Sequence, residues 1–287
     1  VASGRPFQLF SIGYKLKKEF KDIKWIPDYR DEWTTRKTRV KDGILNKFIF
    51  NLELKSEQKW TSNASFFTTV SDEWKNNISS LINKRGFVVK NGYESILDFQ
   101  KNKQKKLSIA YLGTLYPYQE INPIIDTIIE IHTKHKYEIE MKFIGISTIP
   151  EMETKIITKI KNYGHLFKII PSVSGDQLHE ELKNIDIGYL TAYNNLSGCI
   201  PVKLYDYISY KIPMVLYPSD NDVMESLIEK ANLGYVINNK NELYNILTSL
   251  ILTKNTTKAI PYKPKKDQLQ EYSRQFQAKI FCEHIKS

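Results

Sequence analysis

Residues 107–132 read LSIAYLGTLYPYQEINPIIDTIIEIH, and this stretch decides the fold class. Leu107–Leu112 is a short apolar run that predicts a buried strand, and Ile121–His132 carries apolar residues at helical spacing. Gly113 follows the strand directly. The same order of short apolar run and amphipathic stretch recurs along the chain, which predicts βα units around a parallel sheet. We therefore expect an α/β protein.

The C-terminal part of the chain, residues 107–262, predicts one complete Rossmann-like domain. Its further strands are expected at Glu140–Ile144, Phe167–Ile170, Ile187–Leu190, Pro213–Leu216 and Gly234–Ile237. Its further helices are expected at Glu151–Tyr163, Ser174–Asn184, Pro201–Tyr210, Val223–Ala231 and Lys240–Leu252. Ser174 and Gln177 have the spacing of a capping box.

The N-terminal part, residues 1–95, predicts the second half of a similar domain, since it is too short for a whole one. Strands are expected at Ile23–Pro27, Phe66–Val70 and Gly86–Lys90, and helices at Gly13–Phe20, Ile44–Thr61 and from an N-cap at Ser71 to about Asn83. A Lys-rich linker is expected at 96–106. After a loop at Asn255–Lys266, the chain is expected to end in one helix, Asp267–Lys286.

Charge is distributed unevenly over the 287 residues, whose formal net charge is +10. Lys and Arg outnumber Asp and Glu by 21 to 12 in residues 1–105 and by 21 to 20 in residues 106–287. This asymmetry indicates an anionic partner for the first part, either a membrane surface or a nucleic acid. The 41% of hydrophobic residues excludes wholesale disorder. Two distant cysteines, Cys199 and Cys282, argue against a disulfide scaffold or a Cys-ligated zinc site.

The segment 197–207, SGCIPVKLYDY, has the features of a phosphate-binding helix start. Pro201 is preorganised for the first turn, and the N–H groups that a helix N-terminus leaves unpaired attract phosphate. Lys203 adds a positive charge, and Asp206 lies on the same face, where it could accept from ribose hydroxyls. An ordinary capped helix with a surface Lys and Asp explains these residues about equally well.

Two further segments follow predicted strands. Gly113 and Thr114 stand at the carboxyl end of the first strand of a parallel sheet, where ligands bind, although a plain βα turn needs the same residues. Three carboxylates and an arginine, Asp28, Asp31, Glu32 and Arg30, follow the strand Ile23–Pro27 and could supply a general base and an ion pair. A solvated charged loop is the competing interpretation.

Together these segments resemble those of the GT-B fold glycosyltransferases, and specifically glycosyltransferase family 4 of bacterial exopolysaccharide type. The matching stretches occur in family order over nearly the whole chain: Ser3–Pro6, Asp28–Trp33, Thr69–Trp74, Asn91–Tyr93, Tyr111–Pro117, Phe143–Gly145, Val173–Ser174, Pro201–Tyr207 and Ile212–Pro213. The resemblance implies an α/β GT-B fold, with two Rossmann-like domains facing a cleft and the N-terminal domain partial in this chain.

The resemblance also implies roles for individual residues. Lys203 would hold the diphosphate of a nucleotide-sugar and Asp206 its ribose, while one of Asp28 and Asp31, with Arg30, would lie near the reacting centre. The donor-binding set would be Gly113, Thr114, Phe143, Gly145, Val173, Ser174, Pro201, Lys203, Leu204 and Asp206. No metal and no tightly bound cofactor is expected, because members of this fold generally act without a bound metal.

The chain departs from the family pattern at two places. Gly198 stands where members often carry the first of two glutamates, and Asp206 stands at the second. Tyr116–Gln119 replaces the Arg and Lys-Gly that often follow the first strand of the C-terminal domain. The last helix, with Tyr272, Phe276 and Ile280, would cross back onto the N-terminal domain. About the first hundred residues of that domain are expected to be missing from this chain.

The sequence thus predicts a glycosyltransferase that transfers a hexosyl group from a UDP- or GDP-sugar to a glycan or lipid-linked acceptor in cell-surface polysaccharide synthesis. It would be cytoplasmic and peripheral to the membrane, with residues 1–105 facing an anionic surface and no nucleic acid bound. Two alternatives stay open: a nucleotide-sugar epimerase of the same fold, and a non-enzymatic, basic α/β module that binds nucleic acid.

Overall fold

A computed structural model of the protein describes residues 1–38, 42–99 and 104–286. The expected linker, 96–106, therefore lies partly outside the described residues. Contacts divide the chain into two compact units. Unit 1 comprises Val1–Gly92, Asn195–Cys199 and the residues from Glu271 onward, and unit 2 comprises Tyr93–Asn194 and Ile200–Gln270. The sequence does not predict that the short segment 195–199 belongs with the N-terminal part.

Unit 1 contains a four-stranded parallel sheet. Its strands, hydrogen-bonded in chain order, are β1 (Ala2–Gly4), β2 (Pro27–Tyr29), β3 (Phe67–Thr69) and β4 (Gly86–Val88). The intervening helices are α1 (Leu9–Glu19), α2 (Ile44–Thr61) and α3 (Asp72–Ile82). Aromatic rings dominate the core, where Phe10 meets Tyr29 edge to face at 4.9 Å. Ser71 caps α3 as predicted, because its hydroxyl accepts from the backbone N–H of Trp74.

Unit 2 contains a six-stranded parallel sheet. Its strands are β5 (Leu107–Leu112), β6 (Ile139–Ile144), β7 (Phe167–Ile170), β8 (Ile187–Leu190), β9 (Met214–Leu216) and β10 (Gly234–Val236). Its helices are α4 (Asn122–His135), α5 (Pro150–Ile160), α6 (Gly175–Leu182), α7 (Val202–Ser209), α8 (Val223–Ala231), α9 (Lys240–Thr257) and α10 (Lys266–Gln270). The strand order is β10-β9-β8-β5-β6-β7. The direction of strand addition therefore reverses beside β5, between β5 and β8.

The strand predicted at Ile23–Pro27 has the wrong bounds, because β2 begins at Pro27 and includes Asp28. A charged residue inside a strand breaks the apolar pattern that sequence reasoning follows. Here the carboxylate is tolerated because side chains of the neighbouring strands donate to it: Ser3 Oγ at 2.8 Å and Thr68 Oγ1 at 2.7 Å.

The predicted end of the sixth helix of unit 2 at Leu252 is also wrong, since α9 continues to Thr257. Lys254 is buried on the added turn and forms an ion pair with Asp186, whose carboxylate also accepts from Ser108 N at 2.9 Å. The sequence predicts an earlier end because Lys254 is a charged residue and interrupts the apolar pattern of the buried face. The predicted loop Asn255–Lys266 consequently begins later than expected.

The single terminal helix predicted at Asp267–Lys286 is in fact two helices, α10 and α11 (Arg274–Lys286). Ser273 Oγ accepts from Phe276 N at 3.1 Å, which caps a new helix instead of continuing the old one. The predicted capping box at Ser174 is likewise wrong. Ser174 is the N-cap of α6, but its hydroxyl makes no capping hydrogen bond. Gly175, the first residue of α6, has a φ of +55°, which moves the first N–H groups away from that hydroxyl.

We predict that Lys254→Ala destabilises unit 2 by about 3–5 kcal/mol, because the charge on Asp186 would remain buried without its partner. Denaturant unfolding measures this loss. The exposed Lys155→Ala on α5 is the matched control and should change the stability by less than about 0.5 kcal/mol. The double variant Asp186→Asn, Lys254→Met should recover most of the loss, since the amide still accepts from Ser108. A loss no greater than that of the control would contradict the prediction.

Candidate active site

The backbone comes close together at the carboxyl ends of β5 and β6 in unit 2. Gly113 N donates to Ile144 O at 2.7 Å, and Gly145 N donates to Ile170 O at 2.9 Å. Both glycines have positive φ, +79° and +84°, a conformation that side chains disfavour. A Cβ on Gly145 would lie only 3.4 Å from Gly113 Cα. The result is a bare backbone floor at the topological switch point, where parallel α/β sheets bind ligands.

Lys203 brings a positive charge to this floor from the first turn of α7. Its side chain is 9% exposed, and its Nζ lies 3.8 Å from the centre of the Tyr111 ring. Its Cε would be 3.8 Å from a Cβ on Gly113. The face of an aromatic ring attracts a cation, so the ring holds the ammonium in place beside the glycine. Burial raises the pKa of the Tyr111 hydroxyl well above its usual range, so the ring stays neutral.

Helix α7 is held firmly against the sheet by Tyr207. The Tyr207 hydroxyl donates to Ala110 O of β5 at 2.8 Å. Its ring packs on Gly188 of β8, where a Cβ would lie 2.5 Å from the ring. Burial raises the pKa of Tyr207 far above that of a free tyrosine, so it remains a donor. At the other end, Pro201 is the extended N-cap, and its carbonyl accepts from Leu204 N at 3.1 Å within the first turn.

Gln119 connects the two loops that follow β5 and β8. Its Oε1 lies 3.0 Å from the Tyr111 hydroxyl and accepts from Tyr116 N at 3.1 Å. Its Nε2 donates to Thr191 O at 3.3 Å. One buried amide therefore fixes the loop that contains Gly113 and Thr114 relative to β8. The sequence does not single out Gln119, because nothing in the pattern of a loop shows that its amide is buried.

The remaining residues predicted to bind the donor fall into two groups. Thr114, Val173 and Asp206 are half-buried and Ser174 is exposed, so their polar or backbone groups are accessible. Phe143 and Leu204 are fully buried. These two side chains can only position their neighbours. The small-residue loop before α7 lies in unit 1, where Trp74 Nε1 donates to Ser197 O at 2.9 Å.

In unit 1, Asp28 is the centre of a hydrogen-bond network. Besides Ser3 and Thr68, it accepts from Arg30 Nε at 2.8 Å. Arg30 Nη1 in turn donates to Val89 O at 3.0 Å. The network joins all four strands of this sheet near their carboxyl ends. With three donors on its two oxygens, Asp28 holds the strand ends together.

Asp31 differs from Asp28 in being accessible. Its carboxylate is about half exposed and lies 3.6 Å from Arg5 Nε, a loose ion pair at the end of β1 and β2. Asp31 could therefore accept a hydrogen bond or a proton from a bound molecule. Of the three predicted catalytic residues, the structure joins Asp28 and Arg30 in one network and leaves Asp31 outside it.

Two glutamates in unit 1 are buried: Glu32, which belongs to the charged stretch Asp28–Trp33, and Glu57, which the sequence does not single out. Glu57 on α2 accepts from Thr34 N at 3.1 Å and Thr34 Oγ1 at 2.5 Å. Glu32 accepts from Asn77 Nδ2 at 3.1 Å. Burial raises the pKa of both carboxyl groups above that of an ordinary glutamate. On sequence, Glu57 is one charge among several on a helix, so only its burial reveals it.

The described residues contain neither a metal-binding group nor a membrane-spanning helix. Over residues 1–38, 42–99 and 104–286, no three His, Cys, Asp or Glu side chains are grouped to hold a metal ion. No helix in the same ranges is long and apolar enough to cross a bilayer. His132 and His165, unlinked by the sequence, lie with their Nε2 atoms 3.3 Å apart.

No protein-family model and no curated protein matches the chain, but solved structures do. HepE of Anabaena, in complex with UDP and glucose, superposes with a TM-score of 0.68 and 11% identity over 97% of this chain and 76% of HepE. Sucrose-phosphate synthase of Thermosynechococcus elongatus gives 0.66 and 10% over 96% and 70%. The trehalose-phosphate synthase (UDP-forming) of Burkholderia vietnamiensis gives 0.64 and 8% over 98% and 71%.

These structures are GT-B glycosyltransferases. The fold of this chain is GT-B. The predicted fold class, α/β with Rossmann-like parallel sheets, is thereby confirmed. Unit 2 has a Rossmann-like parallel sheet, and Gly113 and Lys203 follow β5 and β8, the two strands on either side of its switch point.

We predict that Glu57→Gln reduces the pH dependence of the stability of unit 1. Because the pKa of Glu57 is raised in the folded protein, the unfolded chain loses its proton first as the pH rises above the ordinary glutamate value. The folded state therefore loses stability from there until the pH passes the raised pKa. The amide cannot ionise and can still accept from Thr34, so the loss should shrink. Part should remain, because Glu32 behaves in the same way.

Thermal unfolding between pH 4 and pH 8 measures this effect. The exposed Glu19→Gln on α1 is the control and should keep the slope of the unaltered protein. If the melting temperature of Glu57→Gln changed with pH as steeply as that of the unaltered protein, ionisation of Glu57 would not lower the stability, and the prediction would be wrong.

Proposed function

We propose that the protein is a glycosyltransferase that moves a hexosyl group from a nucleotide-sugar, a UDP- or GDP-sugar, to a glycan or lipid-linked acceptor in cell-surface polysaccharide synthesis. The observation that carries this proposal is the buried ammonium of Lys203 beside Gly113, at the start of α7 and at the switch point of a parallel sheet. A site of this kind suits a diphosphate, since the ammonium and the N-terminus of α7 lie beside backbone that carries no side chain.

Unit 2 supplies the donor site in this proposal. Lys203 and the N–H groups after Pro201 bind the diphosphate, and Asp206 accepts from the ribose hydroxyls. The other assigned residues are the backbone floor of Gly113, Thr114 and Gly145 and the base-flanking Val173 and Ser174, with Phe143 and Leu204 as packing supports. Complexes of HepE with UDP and glucose and with UDP-glucose support a nucleotide-sugar as the donor.

The transfer step replaces one bond of the anomeric carbon by another. An acceptor hydroxyl oxygen bonds to the anomeric carbon and gives its proton to the base assigned below, and the bond from that carbon to the diphosphate breaks with its electron pair going to the diphosphate. Lys203 and the α7 N-terminus stabilise the negative charge that develops on this leaving group. The donor is a substrate in this scheme, and no tightly bound cofactor takes part.

Unit 1 supplies the acceptor side. Asp31 is the accessible carboxylate that we assign to the acceptor hydroxyl, while Asp28 and Arg30 hold the strand ends that carry it. The excess of Lys and Arg in residues 1–105 favours an acceptor with a phosphorylated lipid, and a position at the cytoplasmic face of an anionic membrane. Nucleic acid is not the proposed partner, since the excess is confined to the first part of the chain.

We predict that UDP or GDP raises the melting temperature of the protein, and that Lys203→Met weakens the binding of that nucleotide about tenfold to a hundredfold. Methionine keeps the length and the packing of the side chain but removes the charge, whose hydrogen bonds to a phosphate are worth about 1.5–3 kcal/mol. Thermal shift and calorimetric titration measure the effect. The exposed Lys240→Met on α9 is the control and should bind as the unaltered protein does.

Two results would overturn the proposed function. The first is a melting temperature that rises with an oligonucleotide but with no nucleoside diphosphate, which would favour the nucleic-acid module. The second is release of an epimerised sugar from a nucleotide-sugar without any acceptor, detected by mass spectrometry and sugar analysis, which would favour the epimerase.

We predict that Asp31→Asn lowers kcat about a hundredfold and leaves the KM for the donor unchanged, as expected for the loss of a general base. Asp28→Asn should instead lower the stability of unit 1, because three hydrogen bonds to a charged acceptor are weakened. The exposed Asp22→Asn is the control for both measurements. A kcat that Asp31→Asn leaves unchanged would remove Asp31 from the reaction.

A further inference from the structure

The outward side of helix α2 carries an unusual set of large apolar side chains. We call it the outer face of α2 and define it by Ile44, Leu45, Phe48, Ile49 and Leu52. These side chains are between 41% and 91% exposed, and every residue from 42 to 49 is exposed. Apolar patches of this kind on a folded protein mark an interaction surface.

The core of unit 1 does not account for these residues. Helix α2 packs inward through another side, on which Phe50 and Leu54 are half-buried and Glu57 and Thr61 are buried. At 100° per residue, the outer face spans positions i, i+1, i+4, i+5 and i+8, which point away from that packed side. Helix α2 therefore has two apolar sides, and the residues that the structure describes bury only one of them.

Basic side chains accompany the outer face. Lys55 and Lys59 continue it by one and two turns, and Lys47 borders its first turns; all three are exposed. The acidic residues of α2, Glu53 and Glu57, lie on the side that turns inward. The exposed part of the helix is thus apolar and positively charged, within the part of the chain that holds most of the excess of Lys and Arg.

We propose that the outer face of α2 inserts into the surface of an anionic lipid bilayer. A helix whose apolar side chains are bordered by lysines lies in the plane of the interface, with the apolar groups among the acyl chains and the ammonium groups among anionic headgroups. The stripe from Ile44 to Leu52 is about 12 Å long, or roughly two turns. Such a short contact gives reversible docking.

Charge favours lipid over a second copy of the chain. An antiparallel pairing of two outer faces would bring Lys55 and Lys59 of one copy onto Ile44 and Leu45 of the other and bury their ammonium groups without acidic partners. A bilayer containing anionic lipid accommodates both kinds of side chain at once. The inference does not rest on the proposed transfer reaction, because lipid binding is measured without any donor or acceptor.

The test is co-sedimentation of the 287-residue chain with vesicles. We expect binding to phosphatidylcholine vesicles that contain about 30–40% of the anionic lipid phosphatidylglycerol, and little binding to vesicles of phosphatidylcholine alone. Phe48→Ser with Leu52→Ser should weaken binding at least tenfold, and Lys55→Glu with Lys59→Glu should do the same. The substituted side chains are exposed, and an unchanged melting temperature confirms that the variants fold.

Unit 2 offers matched controls. Ile157→Ser with Leu252→Ser removes two apolar side chains of similar exposure, 50% and 49%, and Lys155→Glu reverses an exposed charge. These variants should bind vesicles as the unaltered chain does. The proposal fails if the α2 variants bind like the controls, or if the chain binds neutral and anionic vesicles equally. It also fails if size-exclusion light scattering shows a dimer that Phe48→Ser with Leu52→Ser dissociates.

Discussion

The ammonium of Lys203, held over the ring of Tyr111, is the contact on which the candidate site depends. A buried charge is costly unless its surroundings are fixed to stabilise it, and the neighbouring contacts provide that rigidity. Tyr207 fixes α7 to the backbone of β5, and Gln119 fixes the loops around the ring. The positive φ of Gly113 leaves the space beside the ammonium without a side chain. These contacts together fix the ammonium beside backbone that carries no side chain.

Unit 1 buries a charged side chain within its sheet and stabilises it with hydrogen bonds. Its short strands carry a buried aspartate, Asp28, which Ser3, Thr68 and Arg30 satisfy. The same unit buries Glu57, and burial raises the pKa of this carboxyl group. Ionising Glu57 at neutral pH therefore lowers the stability of unit 1. Unit 1 therefore buries an ionisable group at a cost in stability, and it leaves the apolar outer face of α2 exposed among the described residues.

Much of the fold could be predicted from the sequence because local patterns agree with it. The strand Leu107–Leu112 and the helix Ile44–Thr61 were predicted with their observed bounds, since the apolar period is clear there. Two errors occur where a polar residue is buried, Asp28 inside β2 and Lys254 on the last turns of α9. A third occurs where the half-buried Ser273 caps a new helix, α11. In each case a partner distant in sequence, or a cap, decides the outcome.

Local patterns along the chain are enough to predict the βα order, the glycines after the strands and the Pro201–Lys203 helix start, because these depend on neighbouring residues. Which of these residues meet depends on how the chain folds. The tertiary structure places Gly113, Gly145 and Lys203 together, buries the side chains of Phe143 and Leu204, and engages Asp28 while leaving Asp31 accessible. The reason is physical: burial and hydrogen-bond satisfaction depend on contacts between segments that are far apart in sequence, and no local pattern encodes them.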